Sequence, residues 1–100
     1  MHIKEKVIIV TGAANGIGRA LAERVREEGA AAVVVCDIDA AKAKAVANRI
    51  GGLAAVCDVS DFNAVKQVVE DTEKRFGRVD LYCANAGILV KGGLEASDDT

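Results

Sequence analysis

Four short apolar runs, Lys6 to Thr11, Ala32 to Asp37, Leu53 to Asp58 and Val79 to Ala84, alternate along the chain with three longer stretches of helical period. The runs are apolar throughout rather than at every second position, as expected of parallel strands covered on both faces. Between them, apolar residues recur three and four apart: Ile17, Ala20, Leu21 and Val25, then Ala43, Val46, Ala47 and Ile50, then Val65, Val68, Val69, Thr72 and Phe76. That spacing places one apolar stripe on each of three helices. Gly29, Gly51 and Gly77 follow the three stretches at the position of a left-handed C-terminal cap. Ser60 or Asp61 can cap the third helix at its start, and Asp39 the second.

The pattern predicts an α/β chain in which strands and helices strictly alternate. Right-handed crossovers then allow the strand order 3-2-1-4, with the first two helices on one face and the third on the other. This is the first half of a doubly wound parallel sheet. The fourth strand is then expected to be an open edge, despite its apolar Leu81-Tyr82-Cys83-Ala84.

Composition narrows the partners. The formal charge is -2, and no basic block exists to neutralise a run of phosphates, so nucleic acid and anionic membrane are not expected partners. No apolar run approaches the length of a spanning helix, and the N-terminus lacks a signal-peptide pattern, which together point to a cytoplasmic protein. Cys36, Cys57 and Cys83 are odd in number and lie in apolar runs, so they read as reduced, buried thiols and not as a disulfide framework or a metal site.

Candidate chemistry gathers at the carboxyl ends of the predicted strands, where such sheets bind ligands. Thr11-Gly12-Ala13-Ala14-Asn15-Gly16-Ile17-Gly18 leads from the first strand into the first helix. Gly12 lets the chain turn out of the strand, Gly16 lets backbone approach a pyrophosphate, and Gly18 lets the helix pack closely. The helix N-terminus then offers free N–H groups and the positive end of its dipole to an anion. A P-loop is excluded because no lysine follows the glycines. Asp37, nineteen positions after Gly18, stands where a carboxylate can accept from an adenosine ribose. Asp58-Val59 and Asn85-Ala86-Gly87 end the third and fourth strands, and periodicity alone makes them ordinary turn residues.

In this order and spacing, the glycine loop, Asp37, Asp58-Val59 and Asn85-Ala86-Gly87 resemble the N-terminal half of a classical short-chain dehydrogenase/reductase. The resemblance implies a Rossmann-type fold and an NAD-dependent oxidoreductase that moves a hydride between nicotinamide and a small alcohol or carbonyl substrate. It puts the pyrophosphate on Gly12, Asn15, Gly16, Ile17 and Gly18, the adenosine ribose on Asp37, and the adenine against Asp58 and Val59. The Asn85, Ala86 and Gly87 turn would line the ribose nearer the nicotinamide. A homo-oligomer is also implied. Ala84 departs from the family pattern, where many members carry a second asparagine. So does the lack of a catalytic pair: the single tyrosine, Tyr82, is followed four residues later by Ala86 and not by lysine. Residues 1–100 are therefore expected to be the cofactor-binding part of one domain, without its catalytic half. Rival readings are a non-catalytic dinucleotide-binding sensor or scaffold and an S-adenosylmethionine-dependent methyltransferase, the latter disfavoured by the glycine spacing.

Overall fold

The computed structural model describes residues 2–13 and 16–84 in full and 87–90 by their backbone. Its elements are β1 (Val7–Thr11), α1 (Gly16–Glu27), β2 (Ala32–Asp37), α2 (Ala40–Ile50), β3 (Leu53–Val56), α3 (Phe62–Phe76), β4 (Leu81–Ala84) and β5 (Gly87–Val90). The sheet runs β3-β2-β1-β4-β5. Its first four strands are parallel, in the 3-2-1-4 order that the alternation of strands and helices requires.

Two details differ from the sequence pattern. β4 is not an edge, because β5 pairs with it antiparallel from Ala84↔Gly87 to Leu81↔Val90. The run Gly87-Ile88-Leu89-Val90 is rich in strand-forming aliphatics, yet four residues are too few to show a period. Gly87 accordingly opens a strand, paired with Ala84 of β4. At the other edge β3 stops at Val56, two residues short of Asp58, and Ala54 and Val56 are exposed. An edge strand needs cover on one side only, so a continuous apolar run there overstates its burial.

The pleat divides the core. Ile8, Val10, Val33, Val35, Leu81 and Cys83 pack on one face against Ala22 and Val25 of α1 and Ala43, Val46 and Ala47 of α2. Small alanines at these contacts let both helices lie close to the sheet. On the other face Ile9, Val34, Cys36, Cys57 and Val79 meet Val65, Val68, Val69 and Phe76 of α3. One helix covers that face thinly, since Thr72 is the only fully buried residue of α3. Tyr82 is half-buried there. Burial pushes its phenol up, against the opposing effect of a hydrogen bond with Thr11, as befits a packing residue.

Caps fix the helix ends. The Asp39 carboxylate accepts from the Lys42 N–H at 3.1 Å, and Asp61 accepts from Asn63 and Ala64 at 3.0 and 3.3 Å, so Asp61 and not Ser60 caps α3. Gly51 and Gly77 close α2 and α3 in left-handed conformations. All three thiols are free and buried. Burial first, then the neighbouring Cys57, pushes Cys36 up to about 12, which makes it inert near neutral pH.

At the opposite end of the sheet, Asp80 ties β4 to β1. Its carboxylate accepts from the Val7 N–H and from Arg78 Nε, both at 2.8 Å, while its own N–H donates to the Val7 carbonyl at 2.9 Å. Arg78 also donates to the Glu5 carbonyl at 2.7 Å, helping to hold Glu5 at its left-handed φ of 66°. Burial raises the Asp80 carboxyl, but the Val7 and Arg78 bonds and the charges of Arg78 and Lys6 outweigh it, leaving it below the usual range. A lowered carboxyl stabilises the fold above its unfolded value near 3.9 and loses that contribution as pH falls through the folded value. Asp80→Asn is therefore expected to cost roughly 1 kcal/mol at pH 7 and to flatten the acid limb below pH 4, read from thermal melts across pH.

Candidate functional site

The site is built where β1, β2 and β3 end. Leaving β1, the Thr11 hydroxyl donates to the Cys83 carbonyl at 3.4 Å and the Ala13 N–H donates to the Cys36 carbonyl at 3.3 Å, which pins the loop to both neighbouring strands. Gly12 and Gly16 take left-handed φ values of 63° and 54°. Among the described residues nothing lies within 4 Å of the place a Gly16 Cβ would occupy, so none of them crowds the start of α1 there. At Gly18 the reverse holds: a Cβ would stand 2.0 Å from the Gly12 carbonyl oxygen. Thus α1 is pressed against the loop that precedes it. No acidic residue occupies its first turn, so no carboxylate there offsets the positive end of its dipole.

From β2 comes Asp37, half-buried, whose Oδ1 accepts the Asp39 N–H at 3.0 Å and whose carbonyl accepts the Cys57 N–H at 3.0 Å. The latter bond carries the β2–β3 pairing past the end of β3. Asp58 follows, exposed, with Oδ1 accepting both the Ser60 N–H at 2.9 Å and the Ser60 hydroxyl at 2.7 Å. The Ser60 hydroxyl, then its N–H, hold the Asp58 carboxyl below its ordinary value, against a small opposing effect of desolvation. The Asp61 N–H donates to the Asp58 carbonyl at 3.0 Å, closing the turn into α3.

These strand ends enclose a recess of about 130 Å³ lined by Gly12, Asp37, Ile38, Cys57, Asp58 and Val59. Four of the residues singled out in the sequence meet there. Gly16, Ile17 and Gly18 open the adjoining helix, with Ile17 82% exposed. Gly87 does not line the recess; it opens β5, paired with Ala84 at the carboxyl end of β4. Asn15, Asn85 and Ala86 lie outside the described residues. Ile38 and Cys57 were not singled out as site residues, because a helical or strand period says nothing about which turn side chains line a hollow.

The recess offers apolar walls, two carboxylates that only accept hydrogen bonds, and a nearby helix N-terminus suited to an anion. A larger hollow of about 530 Å³ runs between β3 and α3. It opens along the flank of the sheet, away from the glycine loop, and is the gap left where one helix covers a broad face. Among the described residues no group of three or more His, Cys, Asp or Glu could hold a metal ion, and no helix is long and apolar enough to cross a membrane.

Comparison with known proteins agrees with this geometry. The family model described as short chain dehydrogenase matches residues 6–100. The chain is 40% identical over 98 residues to a (+)-cis,trans-nepetalactol synthase of Nepeta racemosa, covering 96% of this chain and 36% of that protein. It is 38% identical over 102 residues to meso-2,3-butanediol dehydrogenase of Serratia marcescens, covering 99% and 41%. Among solved structures, 3-ketoacyl-(acyl-carrier-protein) reductase from Brucella melitensis, complexed with NADH, superposes with a TM-score of 0.75 at 39% identity, covering 80% of this chain and 34% of that one. The chain thus spans between a third and about two fifths of the length of these curated relatives. A match over nearly all of its residues, together with the same order of parallel strands, places this chain in the short-chain dehydrogenase/reductase family with its Rossmann-type fold.

Proposed function

We propose that residues 1–100 form the NAD-binding part of a short-chain oxidoreductase. The observation that carries this reading is the meeting of the glycine loop with the strand ends: Gly12, at the start of the loop that leads into α1, lines one recess with Asp37 and Asp58. The residues fit such a ligand. The loop from Gly12 to Gly18, with Asn15 and Ile17, would hold the pyrophosphate on backbone N–H groups. Asp37 would accept from the adenosine ribose, and Asp58 and Val59 would hold the adenine. Asn85, Ala86 and Gly87 are assigned to the ribose nearer the nicotinamide.

When bound, the dinucleotide supplies hydride acceptance or donation at an alcohol or carbonyl carbon. The residues of this chain bind and orient it. Proton transfer is assigned to residues outside 1–100, since Tyr82 is half-buried in β4, packed against the face that α3 covers. The whole protein is read as a homo-oligomer acting on a small molecule, and as cytoplasmic, which buried, reduced thiols suit. Titration with NADH, followed by nucleotide fluorescence, tests the reading. Saturable binding displaced by 5′-AMP is expected, and no binding at millimolar nucleotide overturns it.

A further inference from the structure

β3 closes one end of the sheet and pairs on one side only, with β2. Successive residues of a strand turn their backbone groups to opposite sides. Since the Cys57 N–H donates inward to the Asp37 carbonyl, the N–H and carbonyl groups of Ala54 and Val56 turn outward, and both residues are exposed. Natural edges are commonly blunted by charge, proline or a bulge. Leu53-Ala54-Ala55-Val56 carries no charge and no proline, and its register with β2 runs unbroken from Val34↔Leu53 to Asp37↔Val56. Beside this edge lies the hollow of about 530 Å³, with Ala55 and Val68 among its walls. A second hollow of about 200 Å³ lies at the start of the strand, along Gly51 and Gly52. Leu53, Arg75 and Phe76 line both, so the two join into one groove. The cation at the join is unpaired. Arg75 lies over the Phe76 ring, 5.7 Å from its centroid, and makes no ion pair among the described residues. Asp71, one turn earlier, accepts from Gln67 instead, at 2.8 Å.

We propose that the β3 edge takes an extended peptide as a further strand, one whose acidic residue meets Arg75 and whose apolar residue two positions away enters the larger hollow. Main-chain bonds to Ala54 and Val56 would hold such a peptide, and its alternate side chains would give the selectivity. Residues two apart on a strand share a face. The place opposite Leu53 lies beside Arg75, whereas the place opposite Ala55 lies over the larger hollow alone. Asp71 lines that hollow and not the smaller one, so it would repel an acid at the second place. One acid at one end is therefore what the groove accepts. A second copy of β3 does not supply it, because Leu53 to Val56 is uncharged. The complementary occupant is a foreign peptide.

The full chain is titrated, by fluorescence anisotropy, with a fluorescein-labelled and end-capped peptide Glu-Thr-Val-Thr-Val-Thr and with the same peptide carrying lysine in place of glutamate. The acidic peptide is expected to saturate below about 1 mM and to bind about fivefold more tightly than the basic one, the scale of an exposed ion pair. Arg75→Glu should reverse that order. Ala54→Pro deletes one outward N–H and no bond to β2, so it should weaken both peptides alike, by about fivefold. Thermal melts verify that each variant folds, and should Ala54→Pro fail to, the order of the two peptides on Arg75→Glu still decides. No saturation by about 1 mM, equal binding of the two peptides, or an order that Arg75→Glu leaves unmoved overturns the inference. So does undiminished binding to folded Ala54→Pro, or self-association of the chain through β3 that the acidic peptide does not displace.

Discussion

Gly18→Ala is expected to lower stability by about 2 kcal/mol and to weaken NADH binding by at least about tenfold. The added Cβ would lie 2.0 Å from the Gly12 oxygen, 2.7 Å from the Gly12 carbonyl carbon and 3.1 Å from the Ala13 Cα. All three are backbone atoms, so no flexible side chain can swing aside. Relieving the contact requires α1 or the loop to shift, and overpacking of this kind reaches about 3 kcal/mol. Helix propensity acts the other way, favouring alanine over glycine by up to about 1 kcal/mol. The clash wins. For a domain of this size the net loss corresponds to a fall in Tm of about 8–16 °C. Gly16→Ala is the informative control, because its Cβ meets nothing within 4 Å among the described residues. There only the left-handed φ of 54° is strained, at about 1 kcal/mol. A methyl at the start of α1 should nevertheless weaken NADH binding. A Gly18→Ala melt within about 3 °C of the unmodified protein would contradict the close approach of α1 to the loop.

The ends of α2 were legible in the sequence because both signals are local: Asp39 bonds the Lys42 N–H, and Gly51 takes a left-handed φ of 69°. The helix faces were equally legible, since Ala43, Val46 and Ala47 recur at a period near 3.6 and all three pack in the core. Where the reading faltered, the deciding contact was not local. β3 loses its last two residues because it is an edge, which depends on where the rest of the sheet lies. β5 exists through pairing with β4, and its four residues carry no period of their own. The choice between Ser60 and Asp61 as cap turns on which carboxylate or hydroxyl reaches the first N–H groups of α3. Both are good capping residues, and the structure gives the hydroxyl to Asp58 instead. At the site, Asp37, Asp58 and the glycines were readable as chemistry. Ile38 and Cys57 join them only because the Asp37 carbonyl holds the Cys57 N–H and draws the two turns together.

Asp37 is expected to make the protein prefer NADH to NADPH by about tenfold or more. It ends β2 on the wall of the recess, fixed by the Asp39 N–H on its Oδ1. A ribose 2′-hydroxyl would donate to such a carboxylate, whereas a 2′-phosphate would set negative charge against it. One pair of unit charges at about 4 Å costs roughly 4 kcal/mol at an effective dielectric of 20. Solvent at the rim of the recess reduces this. Even a third of the cost, about 1.4 kcal/mol, is a factor of ten. Asn15 in the glycine loop and Ile38 beside Asp37 are neutral residues and add no positive charge of their own. Arg19 is engaged along α1 with Glu23 at 3.5 Å, and Glu23 is held in turn by Arg49 at 3.3 Å. Titration of both reduced dinucleotides, repeated with Asp37→Ala, measures the effect. The variant should bind NADH more weakly and NADPH more tightly, bringing the two within about threefold of each other. Equal affinity for both in the unmodified protein would show that the Asp37 carboxylate does not face the ribose.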